Sequence, residues 1–558
     1  MQNSYWTRRR LSRRTLLRGS ATGLMGLGAA ALIGCGGEDD AAAPASTASS
    51  AGTPAGTPAP LPTAAQAVTD FKRGGTIRLG TPALSTGLDP HFSGAGYHKT
   101  RLAFDTLLDF DENGLPGVRD DALAEAYEVA DQTTIILKLR PGVKFHDGTP
   151  FNAESVAWNV ARELQPDPPA GTPHKGEILH TVRIEAVDEH TVRWILDQPD
   201  AGILTAFTNH STQMLSPTHY EGKSIDDVMW RPVGTGRYMF KEYSQDAFVQ
   251  YRVNPDYFHR LSDGGPAGMV DEIHELVIPD AVARATALIN GDVEVLDESP
   301  AAQLDLLNSD ANLHGAKREG FAIRNAYINH GLPPLDNVDV RRALMWAWDP
   351  VAYNTVYDNG IGTPATSYLS SLITGHIDVP EYPQFDLEKA KMYIERSGVP
   401  ESERKLLISG NTVAFQFVQA AWEQIGFTSE HVADATGRLS RASGAADPDV
   451  HMSVGSRITS RPDAGWQTNV MLRSDAIYNY GWAPTGDIDA LSDQGLATYV
   501  PEERKAIYKQ IQEIFADQLY AHFTKVEIPF WVHGRKSVGG IRHYGTGRGD
   551  YRYLHFLA

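Results

Sequence analysis

The sequence predicts a mixed α/β chain of more than one domain, and three observations carry this. The chain has 558 residues, more than a single hydrophobic core takes in. At 42% hydrophobic and 21% charged it has the makeup of a globular protein rather than a disordered or fibrous one. Strand-like and helix-like segments alternate along it without a regular repeat.

The chain opens with a segment outside any core. Residues 12–35, SRRTLLRGSATGLMGLGAAALIGC, hold the only cysteine. Arg8, Arg9, Arg10, Arg13, Arg14 and Arg18 flank an apolar run, Gly19 to Ile33, that falls short of the ~20 residues a bilayer-spanning helix needs. A basic flank, a short apolar run and small residues before a cut describe an export signal, expected over residues 1–34. Ser12 to Arg18 resembles a twin-arginine signal, with the general secretory route as the alternative. Leu32-Ile33-Gly34-Cys35 resembles a bacterial lipobox, in which Cys35 is lipidated and heads the mature chain. No other cysteine is then left for a disulfide, a thiolate metal site or a thiol nucleophile.

Residues 35–70 are rich in Ala, Pro, Thr, Ser and Gly, too poor in apolar surface to offset the entropy of ordering. They read as a tether with a reach on the order of 30 Å. The expected location is the outer face of a bacterial cell membrane, held by lipid and otherwise periplasmic or extracytoplasmic. The net charge of −19 becomes about −25 once the six leader arginines are removed. So acidic a body repels nucleic acid, and no nucleic-acid partner is expected.

Order begins near Phe71, leading into the strand-like Thr76-Ile77-Arg78-Leu79. Thr133 to Arg140 is β-rich, Pro141-Gly142 turns the chain, and Asn152 can cap a helix with Glu154 in its first turn. VRIEAVDEHTVRWIL reads as a hairpin with Asp188-Glu189-His190 at its tip. Ser299 is expected to cap a short helix that has Pro300 at its first position. Val340, Ala343, Leu344 and Ala347 share one helical face after a capping Asp339. A second helix runs from Asp386 to a stopping Gly398, and a third starts at Pro501 with Ile507, Ile511, Ile514 and Phe515 along a stripe.

Enzyme signatures fail one by one. His274-Glu275 begins like a zincin helix, but position 278 is Ile. Gly455-Ser456 lacks the flanking glycines of a nucleophile elbow. Gly234-Thr235-Gly236 lacks the Gly-Lys-Ser/Thr ending of a phosphate loop. None of the nineteen histidines stands in a tight ligand spacing with carboxylates, so neither a metal nor another cofactor is expected. Arg548-Gly549-Asp550 is a chance match.

A set of segments instead resembles one family along nearly the whole mature chain. FDTLLDFDENGLPGVRDDALAEAYEV, LKLRPGVKFHDGTPFNAESVAWN, RPVGTGRYMFKEY with VQYRVNPDYF, and DVRRALMWAWDPVAYNTVYDNGIGTPA are similar to extracytoplasmic solute-binding proteins of ABC importers, family 5. That group includes dipeptide-, oligopeptide- and nickel-binding proteins. Its motifs are structural: Gly142, Gly148, Gly234 and Gly236 read as turn residues. The resemblance implies a two-lobed α/β periplasmic-binding-protein fold, type II, with an extra subdomain in lobe I at about 110–230. Lobe I would span 71–322 and return at 532–558, and lobe II 323–531. The crossing segments would be AIRNAYINH and VEIPFWVHGR.

The resemblance further implies a binding protein, not an enzyme, and a monomer. It would capture a peptide or peptide-like small solute between its lobes and pass it to ABC permease subunits in the membrane. Metal chelates, opines or oligosaccharides are the alternative cargo, and a surface-anchored hydrolase the alternative of another class. Tyr97 and His98, after LDPHFSG, are expected along the cleft, with Trp466, Asn479 and Trp482 facing it from lobe II.

Peptide-binding members hold the peptide's α-amino group with an Asp in a loop resembling Trp-x-x-Asp-Tyr-x-x-Pro. Here the stretch is SVGSRITSRPDAGW, with Ser460 where that Asp would stand. Arg457 and Arg461 would suit a carboxylate or phosphate on the cargo. Asp463 is the only nearby acid. Either Asp463 is a shifted anchor, or the cargo has no obligate free amine, the reading favoured here.

Overall fold

The computed structural model describes residues 71–558 except 93–96, 112–113, 166–176, 179, 433–449, 459–460, 477–478, 480–482 and 544–547. The leader, Cys35 and the tether lie outside the described residues. Those described belong to one compact unit, Pro58–Ala558.

An eleven-stranded sheet organises the molecule. Its path runs Thr428–His431, Lys405–Gly410, Met452–Ile458, Leu313–Ile328, His522–Arg535, Val295–Leu296, Thr76–Thr81, Glu272–Val277, Phe248–Val253 and Tyr238–Ser244, with Thr363–Pro364 also on His522–Arg535. Two long antiparallel strands, Leu313–Ile328 and His522–Arg535, carry it from one flank to the other, paired from Leu313 opposite Arg535 to Tyr327 opposite His522 with a register shift between Arg324 and Asn325 and another nearer the start. The ladder is broken between Arg318 and Ala322. Gly320 sits in that break at φ +68, and a Cβ there would stand 2.6 Å from the Leu372 amide nitrogen, so only glycine fits the bend.

A smaller four-stranded sheet, in the order Ala124–Asp131, Thr134–Leu139, Thr191–Leu196, Thr181–Asp188, has its own core with the helix Ala153–Leu164. Trp194 and Phe207 meet edge to face there, 4.7 Å between ring centres. The helix starts where local chemistry puts it: Asn152 accepts from the Ser155 amide and Ser155 returns the bond, a closed capping box.

Other local expectations shift by a few residues for visible reasons. The helix Val338–Ala347 is capped by Asn337, while Asp339 lies in its first turn and binds Arg396 and Arg342. Ser299 caps nothing, because its hydroxyl is 2.8 Å from His533 Nδ1, and Pro300 takes the cap position of a 3₁₀ turn. Gly142 and Gly148 are turn glycines at φ +75 and +85. Gly234 and Gly236 are not: their missing Cβ atoms would lie 2.3 Å from the Ala103 oxygen and 2.5 Å from its carbonyl carbon, so they serve close packing of two backbones. His274 lies in a strand and pairs with Glu272 at 2.6 Å, away from any zincin-like helix.

The C-terminal residues return to the start. His555–Leu557 pairs with Phe71–Lys72, and Arg552 joins Asp109 at 3.0 Å and Asp550 at 2.7 Å in a buried network. That network includes Asp121, 2.5 Å from Arg237, and Tyr257, whose hydroxyl is 3.1 Å from both Asp105 and Asp121.

Candidate functional site

The strand Met452–Ile458 delivers the chain into the stretch that the sequence singled out. Ser460 lies outside the described residues, and for Arg457 only the backbone, at the end of that strand, is described. Asp463 follows as the cap of the helix Ala464–Met471, accepting from the Trp466 amide at 2.9 Å. Its carboxylate is also gripped by Arg504, whose Nη2 donates at 3.0 Å and whose Nη1 takes the other oxygen. Burial alone would raise this carboxyl, but the Arg504 guanidinium outweighs it and holds Asp463 below the usual range. Asp463 therefore stands in the structure as a charged, fully engaged cap.

Arg461 does not point to solvent. It is buried, and its Nη2 lies 2.5 Å from Glu177 Oε1, in the segment leading to the four-stranded sheet. Ser211 donates to the other Glu177 oxygen at 2.6 Å. The guanidinium carbon sits 3.3 Å from the centre of the Trp466 ring, a cation stacked on an aromatic face. Glu163, wholly buried nearby, is pushed well above the ordinary carboxyl range by burial and then by Glu177.

Two further contacts join the same two sides. The Ala201 amide donates to the Leu496 carbonyl at 2.8 Å. Gln132, at the turn between Ala124–Asp131 and Thr134–Leu139, donates to the Ala497 carbonyl at 3.3 Å and accepts from the Tyr499 hydroxyl at 3.1 Å.

Tyr97 and His98 belong to a single helical turn, Tyr97–Thr100, of which those two are described by backbone only. That turn is pinned by Lys99, whose ammonium donates to Thr81 Oγ1 at 2.8 Å and the Ala83 carbonyl at 2.9 Å, facing Glu275 and Asp297. Trp466 is half-buried under Arg461. Asn479 is fully buried and spends its amide on the loop, bonding the Arg473 and Ala483 carbonyls and the Ala483 amide. Trp482 lies outside the described residues. Glu177, Ser211, Arg504 and Lys99 were not anticipated; no spacing in the sequence links any of them to the Arg461 loop.

Among the described residues no group of three or more His, Cys, Asp or Glu could hold a metal ion, and no helix is long and apolar enough to cross a membrane.

Comparison with known proteins gives a consistent picture. The family description "Bacterial extracellular solute-binding proteins, family 5 Middle" matches residues 120–479. A glutathione-binding protein, GsiB of Shigella flexneri, is 28% identical over 435 residues, covering 74% of this chain and 83% of its own. Among solved structures, the ABC transporter substrate-binding protein CtaP of Listeria monocytogenes superposes with a TM-score of 0.73 at 23% identity, over 87% of this chain and 100% of that one. The dipeptide-binding protein of Pseudoalteromonas sp. SM9913, in complex with Met-Leu, gives 0.71 at 20% identity over 86% and 100%.

Proposed function

Since the chain belongs to the family 5 bacterial extracellular solute-binding proteins, we propose that it captures a small peptide-like solute lacking an obligate free amine and passes it to an ABC permease. The solute would be held between two lobes that hinge on Leu313–Ile328 and His522–Arg535, closing around it. In this reading Cys35 carries the lipid that keeps the protein at the membrane. The family consists of substrate-binding proteins rather than enzymes.

The observation that carries the cargo class is the engagement of Asp463. Both its oxygens are taken by Arg504 and by the Trp466 amide. To receive a cargo ammonium it would have to give up Arg504, an arginine that is itself partly buried. A buried ammonium without a carboxylate costs several kcal/mol, enough to abolish micromolar capture. A solute whose amine is blocked or absent meets no such penalty.

Calorimetry with matched free and N-acetylated peptides tests this. The reading expects acetylation to leave binding intact or improve it. Tight binding of free peptides that is abolished both by acetylation and by Asp463→Asn would make Asp463 the anchor and overturn it.

A further inference from the structure

The break in the two long strands has a cause in the sequence. Pro529 stands between Ile528, opposite Ala322, and Phe530, opposite Arg318. Proline has no N–H to give the ladder, and on the facing strand Glu319, Gly320 and Phe321 have no opposite partner. Arg318 is the last paired residue before this gap.

Directly opposite residues of an antiparallel pair share a face, so the Arg318 side chain lies beside the buried Phe530. It is half-buried. The other cations of the strand are already engaged. Lys317 pairs with Glu319 and lies 5.8 Å from the centre of the Trp531 ring. Arg324 grips Asp358, its Nε 3.0 Å from each carboxylate oxygen. Arg318 makes no hydrogen bond or ion pair with any described residue. Burial draws its guanidinium below the ordinary range, and no neighbouring charge offsets that.

A guanidinium stays charged at any pH the protein meets, and its planar fork matches two carboxylate oxygens at once. Partly removed from water without an anion, it carries a desolvation penalty that an incoming carboxylate relieves. Arg461, offered for this role by the sequence, is held by Glu177 instead.

We infer that Arg318, at the break in the crossing strands, receives a carboxylate of the cargo. This deepens the capture reading and rests on it. A peptide-like solute whose amine is blocked still carries a C-terminal carboxylate, and the crossing strands run where the solute would be enclosed.

Calorimetry with N-acetylated peptides, each as the free C-terminal acid and as the C-terminal amide, tests this. The wild-type protein should bind the acid more tightly by about tenfold or more, the effect of one hydrogen-bonded charge pair. Arg318→Gln should bring the acid down to the level of the amide and leave the amide unchanged. Arg318→Lys, which keeps the charge but not the fork, should restore part of the preference. Melting temperature separates this from a structural role. Arg318→Gln removes a charge without a partner and should not lower it; a clear fall would make the arginine structural and overturn the assignment. Acid and amide bound equally by the wild type, or a preference that survives Arg318→Gln, would overturn it too and leave capture standing. A wild-type protein that binds none of these peptides would remove capture of a peptide-like solute, and this assignment with it.

Discussion

The carboxylate of Glu177 meets the guanidinium of Arg461 at 2.5 Å, although one belongs to the approach to the four-stranded sheet and the other to the loop after Met452–Ile458. Both side chains are buried, and they lie far apart in the sequence. The bond is made only when the two regions come together.

Removing one partner should therefore cost more than removing both. Arg461→Gln takes the guanidinium away from the buried Glu177 carboxylate, an expected loss of ~3–5 kcal/mol in unfolding free energy. Glu177→Gln with Arg461→Gln should recover part of that loss. A double-mutant cycle in urea measures the coupling; additive single effects would mean that the pair contributes nothing specific.

Asp105 supplies a pH dependence of definite sign. Burial, then the neighbouring Asp121 carboxylate, push its carboxyl up to about 7, against the opposing pull of Arg552. The unfolded chain titrates near 3.8, so between about pH 4 and 7 the folded state holds the extra proton. Its contribution is whole below pH 4 and is lost as pH rises through 7. Asp105→Asn should remove a downward slope of up to ~1.4 kcal/mol per pH unit across that window. Parallel stability curves for the two proteins from pH 4 to 8 would contradict this.

The glycines divide by cause. At Gly234 a Cβ would meet the Ala103 oxygen at 2.3 Å, so Gly234→Ala should destabilise by ~3 kcal/mol as backbones are forced apart. Gly148 has φ +85 and open space, so Gly148→Ala should cost only ~1 kcal/mol of backbone strain. Melting temperatures of the two variants rank them, and an equal or reversed order refutes the distinction.

Anchoring is checked at Cys35. Cys35→Ser should release the protein from the membrane fraction or block its processing, and Arg13→Lys with Arg14→Lys should halt export if the twin-arginine route is used. An unchanged membrane fraction and mature mass after Cys35→Ser would remove the lipid anchor from the account.

What could be read in the sequence was what lies close along the chain. Asn152 and Asp386 cap their helices because a cap reaches only three residues onward. Asp339 failed as a cap because Asn337 competes for the same helix start and Arg396, remote in sequence, claims its carboxylate. Gly234 and Gly236 showed as special positions, but the reason, the backbone of Ala103, is more than a hundred residues away. The Arg461 loop was recognisable by its departure from a family pattern. That Arg461 turns to Glu177 and Asp463 to Arg504 was not, since no periodicity or spacing encodes which distant charges a fold brings together. Asn479, expected along the cleft, makes hydrogen bonds within its own loop that no short-range pattern in the sequence announces.

The account stands or falls on a solute being held. Native mass spectrometry of the protein, incubated with extract of the cells that make it and then desalted, addresses this directly. Capture predicts one discrete small-molecule mass above the chain, lost on denaturation and absent from an unrelated control protein. The bare chain mass in every charge state would contradict it.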